Sequence, residues 1–255
     1  MHIQLVRHAT LRVGYNGHIL LVDPMLSQAG EMPATVNTPN QRPNPGVELP
    51  MSVEEVLDGV NAILITHTHM DHLDEAAVRQ LPKHVPLFCQ PPDREKLKNH
   101  GFEQVIVVED DYEWEGIHFD RTGGRHGTGE IGEKMGPVSG FVLKARDGNE
   151  PTLYLTGDTI WCEEVEHALK SHQPDVVVPF AGAAQFLVGD PITMTKEDIV
   201  QLAQAAGNSQ IFVAHMEVWN HCLLSRSELV EYVRANDLSD RIQIPQNGEK
   251  IEYQR

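Results

Sequence analysis

Cysteine, positive charge and long apolar runs are all scarce in this chain, and each scarcity excludes something. The three cysteines, Cys89, Cys162 and Cys222, are an odd number with no C-x-x-C or other paired spacing. A disulfide framework and a cysteine-ligated metal site are therefore not expected, and a reducing, cytoplasmic setting is. Lysine and arginine total 20 against 37 aspartates and glutamates, a formal charge of −17. Phosphate backbones need a basic surface, so no nucleic-acid partner is expected. A single small anion is not excluded, because bound divalent ions invert the local field. No stretch approaches the roughly 18 consecutive apolar residues that span a bilayer, and no membrane partner is expected. The opening Met1-His2-Ile3-Gln4-Leu5-Val6-Arg7-His8 lacks the basic, apolar and small-residue segments of a secretory signal and reads as a first strand. The expected partner is a small-molecule substrate; the sequence sets no oligomeric state.

What is present begins with core material, since 40% of the 255 residues are apolar. Ile3 to Val6, Leu11 to Val13 and His18 to Val22 read as short strands, with Tyr15-Asn16-Gly17 as a hairpin turn. The proline-rich stretch 24–50 has no helical or strand period. A loop of that length in a compact domain is usually functional or mobile, and this one is placed to cover a cleft. Ser52-Val53-Glu54-Glu55 is a capping box opening a short helix that Gly59 stops. Strand 61–65, a helix from about Asp74 to Gln80, strand 85–89, helix 93–99 and strand 104–108 follow in alternation. Ile117 to Arg121, Val138 to Ala145 and Thr152 to Leu155 read as antiparallel strands interrupted by the glycine-rich stretch 123–140. Helices 162–171, 196–206 and 226–235 then alternate with strands 175–178 and 210–214, and a short final strand ends the pattern. No linker, repeat or low-complexity tract divides the chain. The expectation is one α/β domain, residues 1–255, of two packed sheets with helices outside.

The chemistry is concentrated in Thr66-His67-Thr68-His69-Met70-Asp71-His72, directly after the apolar run Ala62-Ile63-Leu64-Ile65. Imidazole and carboxylate are borderline-hard ligands that suit Zn²⁺, Mn²⁺ and Fe. In an extended segment His67 and His69 leave the same face, so both can reach one ion. Asp71 and His72 fall where strand turns to helix and can point at a second ion. The competing interpretation is a solvated polar loop.

At this point the chain resembles the metallo-β-lactamase superfamily, whose H-x-H-x-D-H motif is matched from His67 through His72. The resemblance extends in order to His126 in Arg125-His126-Gly127, Asp158 in Thr156-Gly157-Asp158-Thr159, and His215 at the end of strand 210–214. Taken without the resemblance, His126 is an ordinary loop histidine and Asp158 equally a turn residue or helix cap. His215 competes with His221 in His215-Met216-Glu217-Val218-Trp219-Asn220-His221. The resemblance implies an αββα sandwich and a centre of two divalent ions, Zn²⁺ or Mn²⁺ with Fe admitted. His67, His69 and His126 would form site one, Asp71, His72 and His215 site two, and Asp158 would bridge. A hydroxide shared by two ions would then be the nucleophile, with Asp71 orienting it or passing its proton to the leaving group. Asp23 resembles the family's aspartate behind the ligands, or is a turn aspartate before Pro24.

Arg7-His8-Ala9-Thr10 is similar to the G-H-A/S-[ST] element of the branch containing L-ascorbate-6-phosphate lactonase and related metal-dependent hydrolases, with arginine where glycine is common. Gly124-Arg125-His126-Gly127 followed by Met135-Gly136-Pro137-Val138-Ser139-Gly140-Phe141 also looks like that branch. The safer interpretation of His8 itself is a surface or satisfied core histidine. The resemblance implies a lactonase-like hydrolase acting on a small polar or anionic lactone, ester or phosphoester, with Asp71 and Asp158 as catalytic residues. Two other functions fit the same ligands: an iron-dependent oxidoreductase and a non-catalytic metal-binding sensor. No flavodoxin-like domain follows residue 255, which disfavours a flavodiiron protein. Arg7, Arg125 and Lys134 are candidates to pair a substrate anion. Trp161, Trp219, Phe180 and Phe186 line a pocket or, more ordinarily, fill the core.

Overall fold

The structure is a computed structural model that describes residues 1–255. The three opening strands, His2–Arg7 (β1), Thr10–Tyr15 (β2) and His18–Val22 (β3), pair as an antiparallel meander. Asn16 and Gly17 turn β2 into β3 at φ +49° and +79°, the left-handed pair that a two-residue hairpin requires. Residues 24–50 follow without helix or strand apart from one bridge between Met32 and Asn44. The helix Val53–Leu57 (α1) opens on the Ser52/Glu55 capping box.

Ala62–Ile65 (β4), the helix Glu75–Gln80 (α2), Leu87–Cys89 (β5), the helix Arg94–Asn99 (α3) and Val105–Val107 (β6) then add three parallel strands to β3. The second sheet begins with Asp111–Trp114 (β7) against Ile117–Thr122 (β8). A short helix, Gly129–Met135 (α4), separates β8 from Gly140–Ala145 (β9), and Leu153–Leu155 (β10) completes the antiparallel part. Helices Glu163–His172 (α5), Lys196–Ala205 (α6) and Arg226–Ala235 (α7) alternate with Val176–Val178 (β11), Gln210–Phe212 (β12) and Ile242–Gln243 (β13), all parallel to β10. Lys250–Glu252 (β14) leaves that sheet and pairs antiparallel with β1. The sheet orders are β14-β1-β2-β3-β4-β5-β6 and β13-β12-β11-β10-β9-β8-β7.

The two sheets face each other across one core. Leu5, Leu11, Val13, Leu20, Leu64 and Phe88 come from the first, and Phe119, Phe141, Leu143, Leu155, Val178 and Phe212 from the second. Helices α1–α3 cover the outer face of the first sheet through Val56, Ala77 and Leu97 against Ile63, Ile65 and Leu87. Helices α5–α7 cover the second through Val165, Leu202 and Leu229 against Val142, Val177 and Ile211. This is the expected αββα sandwich. Three elements were not expected from the sequence: β7, α4 and one of the two strands, β13 and β14, that stand where a single final strand was expected. β7 is almost wholly exposed, and α4 buries no residue and lies in the glycine-rich stretch, so neither carries an apolar period. No helix is long and apolar enough to cross a membrane.

Among the polar contacts between the sheets, that of Tyr15 lies deepest in the core. The Tyr15 hydroxyl on β2 accepts the Ala145 N–H at 3.1 Å and lies 2.9 Å from Pro151 O and 3.0 Å from Leu143 O, where its single hydrogen is donated. Replacing Tyr15 by phenylalanine leaves a buried N–H and carbonyl unpaired. The expected cost is about 1–3 kcal/mol, read from urea unfolding midpoints at unchanged slope.

Candidate metal centre

Every sequence-predicted site residue lies just beyond the carboxyl end of a strand or in the loop that follows one. The segment after β4 extends through His67, then closes a tight turn in which the N–H groups of His72 and Leu73 both bond His69 O at 3.0 and 2.9 Å. Asp74 caps α2 by accepting from Ala77 N–H, which ends the motif on a fixed helix. Asp158 follows β10 through Gly157, at φ +65°, where an added Cβ would sit 2.4 Å from Ser139 O. Only glycine passes there, and that close approach aims Asp158 inward. His215 follows the Phe180–Ala214 bridge at φ +62°, and His126 follows β8 through Gly123 and Gly124.

These distant segments converge. His67, His69 and His126 place one ring nitrogen each within 4.8 Å of one another, and Asp71, His72, Asp158 and His215 form a second such group. Asp158 Oδ2 stands between them, 3.5 Å from His126 Nε2, 3.2 Å from His72 Nε2 and 3.3 Å from His215 Nε2. Asp71 Oδ2 lies 3.3 Å from His215 Nε2 and 3.8 Å from His72 Nε2. The pocket is buried except at its mouth, where His69 is partly exposed. His221 is buried nearby but belongs to neither group, so the structure gathers His215 and leaves His221 out.

A set of buried acceptors fixes which nitrogen of each ring faces inward. His72 Nδ1–H donates to Asp23 Oδ2 at 2.8 Å, and His126 Nδ1–H to Ile192 O at 2.8 Å. Thr66 donates its only hydroxyl hydrogen to Asp23 Oδ2 at 2.6 Å, so its oxygen 3.2 Å from His67 Nδ1 must accept from that ring. Asp23 Oδ1 also takes the Thr66 N–H at 2.8 Å. A single buried carboxylate therefore orients His72 directly and His67 through Thr66, so both Nε2 atoms face the pocket, where His67 Nε2 lies 2.9 Å from His69 Nδ1. His215 Nδ1 lies 3.8 Å from Cys222 Sγ. The threonine, the Ile192 carbonyl and Cys222 were not singled out from sequence, because backbone and hydroxyl acceptors carry no motif.

Burial pushes His67 and His69 below the ordinary imidazole value, His126 to about 4 and His8 to about 3. Those rings are neutral at pH 7 and have lone pairs to give. Burial also opposes charge on His72 and His215. It is outweighed by Asp158 and Asp71, which lift His72 to about 10 and His215 well above its ordinary value. The same pairs, against burial, hold both carboxyls well below theirs.

The remaining sequence candidates are placed differently. Arg7 is fully buried and donates to the carbonyls of Val47, Met25 and Ser27 at 2.8–3.0 Å. Arg125 bonds Glu164 at 3.0 Å, and Lys134 lies 3.9 Å from Glu130. Phe180 stacks 5.9 Å from the His72 and His215 rings, beneath the pocket. Trp219 stacks 6.2 Å from His8, which is not a surface histidine: its ring is fully buried, with Nε2 3.2 Å from Asp71 Oδ2. The 24–50 loop is anchored throughout. Asn220 alone bonds Thr35, Thr38, Asn40 and Asn44.

Known proteins resemble the chain along its whole length. Residues 18–216 match the family model described as beta-lactamase superfamily domain. The UPF0173 protein YddR of Bacillus subtilis is 38% identical, covering 99% of this chain and all of its own length. The crystal structure of an isothiocyanate hydrolase from Delia radicum gut bacteria superposes with a TM-score of 0.95 at 33% identity, covering 100% of both chains. That of a possible metal-dependent hydrolase from Veillonella parvula gives 0.95 and 33% over 98% of each. The metallo-beta-lactamase fold protein YhfI of Bacillus subtilis, at TM-score 0.66, 12% identity and coverage of 98% and 99%, shows the shared fold alone.

Two outcomes are expected from this geometry. Metal uptake must displace the protons that Asp71 and Asp158 keep on His72 and His215. Apparent affinity should therefore rise with pH toward the His72 value of about 10 and fall in acid, by about tenfold per unit for each proton displaced. Calorimetric titration with Zn²⁺ in buffers of different ionisation heat counts those protons. Asp23→Asn should lower affinity about 10–100-fold without unfolding the chain, read by competition with a chromophoric chelator.

Proposed function

The chain belongs to the beta-lactamase superfamily, and we propose that it is a metal-dependent hydrolase that takes two divalent ions and hydrolyses a small uncharged molecule at an electrophilic carbon. The observation that carries this reading is the position of Asp158 Oδ2, within 3.2–3.5 Å of ring nitrogens from both clusters. The donor set fits such ions. His72 Nε2, His215 Nε2 and Asp158 Oδ1 are buried without any hydrogen-bond partner. The Asp158 and Asp71 oxygens 3.2–3.3 Å away give the two rings charge contacts without aligned hydrogen bonds, and cations among them would supply the missing partners.

His67, His69 and His126 would hold one ion, Asp71, His72 and His215 the other, and Asp158 both. Zn²⁺ and Mn²⁺ suit these ligands, and Fe is admitted. Bound, the ions would supply Lewis acidity toward the substrate and bring the pKa of water toward 7. The chain's own groups do the remaining work. Asp158, enclosed by three imidazoles, is a fixed anion that holds the two clusters in register. Asp71, held ionised beside His72 and His215, is the group we assign to orient the nucleophile. Phe180 packs under the rings and keeps water from the rear of the pocket.

Two observations support an uncharged substrate. Arg7 is buried and committed to three carbonyls, and Arg125 and Lys134 lie on the exposed surface beside Glu164 and Glu130, so none of these candidate cations is a buried group held ready for an anionic substituent. The isothiocyanate hydrolase at 33% identity acts, by its name, on a neutral electrophile. Isothiocyanates, esters and lactones therefore rank above phosphoesters.

The test is metal analysis of the purified protein with a turnover screen across those four classes. Two equivalents of Zn²⁺ or Mn²⁺ with turnover of a neutral substrate is the expected result. Iron with oxygen uptake would move the chain to an oxidoreductase, and tight metal without any turnover to a sensor. Asp158→Ala should lose metal and all hydrolysis while far-UV circular dichroism is unchanged. Full activity in that variant would take Asp158 out of the centre.

A further inference from the structure

We propose that His8 is a positioning residue for the second cluster: its ring Nε2–H fixes the Asp71 carboxylate, and its backbone carbonyl fixes His215. The inference rests on the two-ion reading above and concerns a residue outside its seven ligands. His8 lies in the turn between β1 and β2 in the left-handed region, at φ +59°. Glycine or asparagine adopts that conformation more readily than histidine, so the ring is held there by its surroundings. Arg7 ties the preceding residue to three carbonyls of the 24–50 loop. Thr10 ties the following strand by donating to Asp23 O and accepting from Met25 N–H.

From that fixed turn, His8 reaches two members of the cluster at once. Its Nε2 lies 3.2 Å from Asp71 Oδ2, and its carbonyl accepts the His215 N–H at 2.9 Å. The His8 and His215 rings are in contact, with centroids 3.8 Å apart and planes tilted by 38°. His215 is also left-handed, at φ +62°, so two left-handed histidines from opposite sheets are joined by one backbone hydrogen bond. The other nitrogens near Asp71 Oδ2 belong to His215 and His72, at 3.3 and 3.8 Å. Both are committed once ions are bound. His8 is then the donor that remains to decide which way the Asp71 carboxyl group turns. Its Nδ1 has no partner, so a ring with one hydrogen places it on Nε2.

His8→Phe keeps the ring volume and removes the donor; His8→Gln keeps a donor at similar reach. Metal-free proteins are titrated with Zn²⁺ against a chromophoric chelator. Wild type should bind two equivalents. His8→Phe should keep the first and bind the second about 10–100-fold more weakly, and His8→Gln should recover most of that loss. Both equivalents binding to His8→Phe with wild-type affinity would overturn the proposal, as would His8→Gln failing equally. Wild type binding a single equivalent would overturn the two-ion reading and the proposal with it. Should His8→Phe not fold, ¹⁵N shifts of the histidine rings in Zn²⁺-loaded wild type decide. An Nε2–H tautomer at His8 supports the assignment, and an Nδ1–H tautomer ends it.

Discussion

Six ionisable groups that crowd into one pocket must each be given a reason to stay. Asp71, His72, Asp158 and His215 are buried together with His67 and His126. Water has been removed from all of them, which would drive them neutral or apart. The interaction that holds the arrangement is the contact of Asp158 Oδ2 with His126, His72 and His215. Asp158 comes from β10 in the second sheet, whereas His72 follows β4 in the first. A charge contact thus spans the sandwich at its open end, where the apolar core stops.

The rest of the fold can be understood as what makes that contact geometrically unavoidable. Parallel strands put their carboxyl ends on one edge of each sheet, so Asp23 after β3, the histidine motif after β4, Asp158 after β10 and His215 beyond β12 arrive at one place. Gly157 permits the close approach to Ser139, and Asp23 sets two imidazoles with one carboxylate. The proline-rich loop is fastened by Arg7 and by the fully satisfied Asn220 side chain. Its length suggested mobility as readily as function, and its hydrogen bonds to Arg7 and Asn220 tie it to the body of the fold.

How much of this was legible in the sequence follows from where each signal lies. The two-sheet sandwich was legible because strands and helices of the core carry apolar periods, and the capping boxes at Ser52 and Thr195 mark helix starts. The cluster from His67 to His72 was legible because its chemistry is contiguous. His126, Asp158 and His215 were legible only through order and resemblance, since each alone has an ordinary explanation. β7 and α4 escaped because exposed, polar or glycine-rich segments need no period. His8 was read as a bystander for another reason. Its importance lies in a hydrogen bond to a residue 63 positions away, which no local pattern records.

The return of β14 to β1 has a bearing on biosynthesis. β1 is built from the first residues of this sequence, yet its outer neighbour is Lys250–Glu252. During translation the edge of the opening strand stays bare until nearly everything else has emerged, and unpaired edges recruit other chains. The ribosome thus emits β1 early and the strand that covers its edge late. A nascent chain stalled before residue 250 would carry the other thirteen strands with the outer hydrogen-bonding edge of β1 still unpaired.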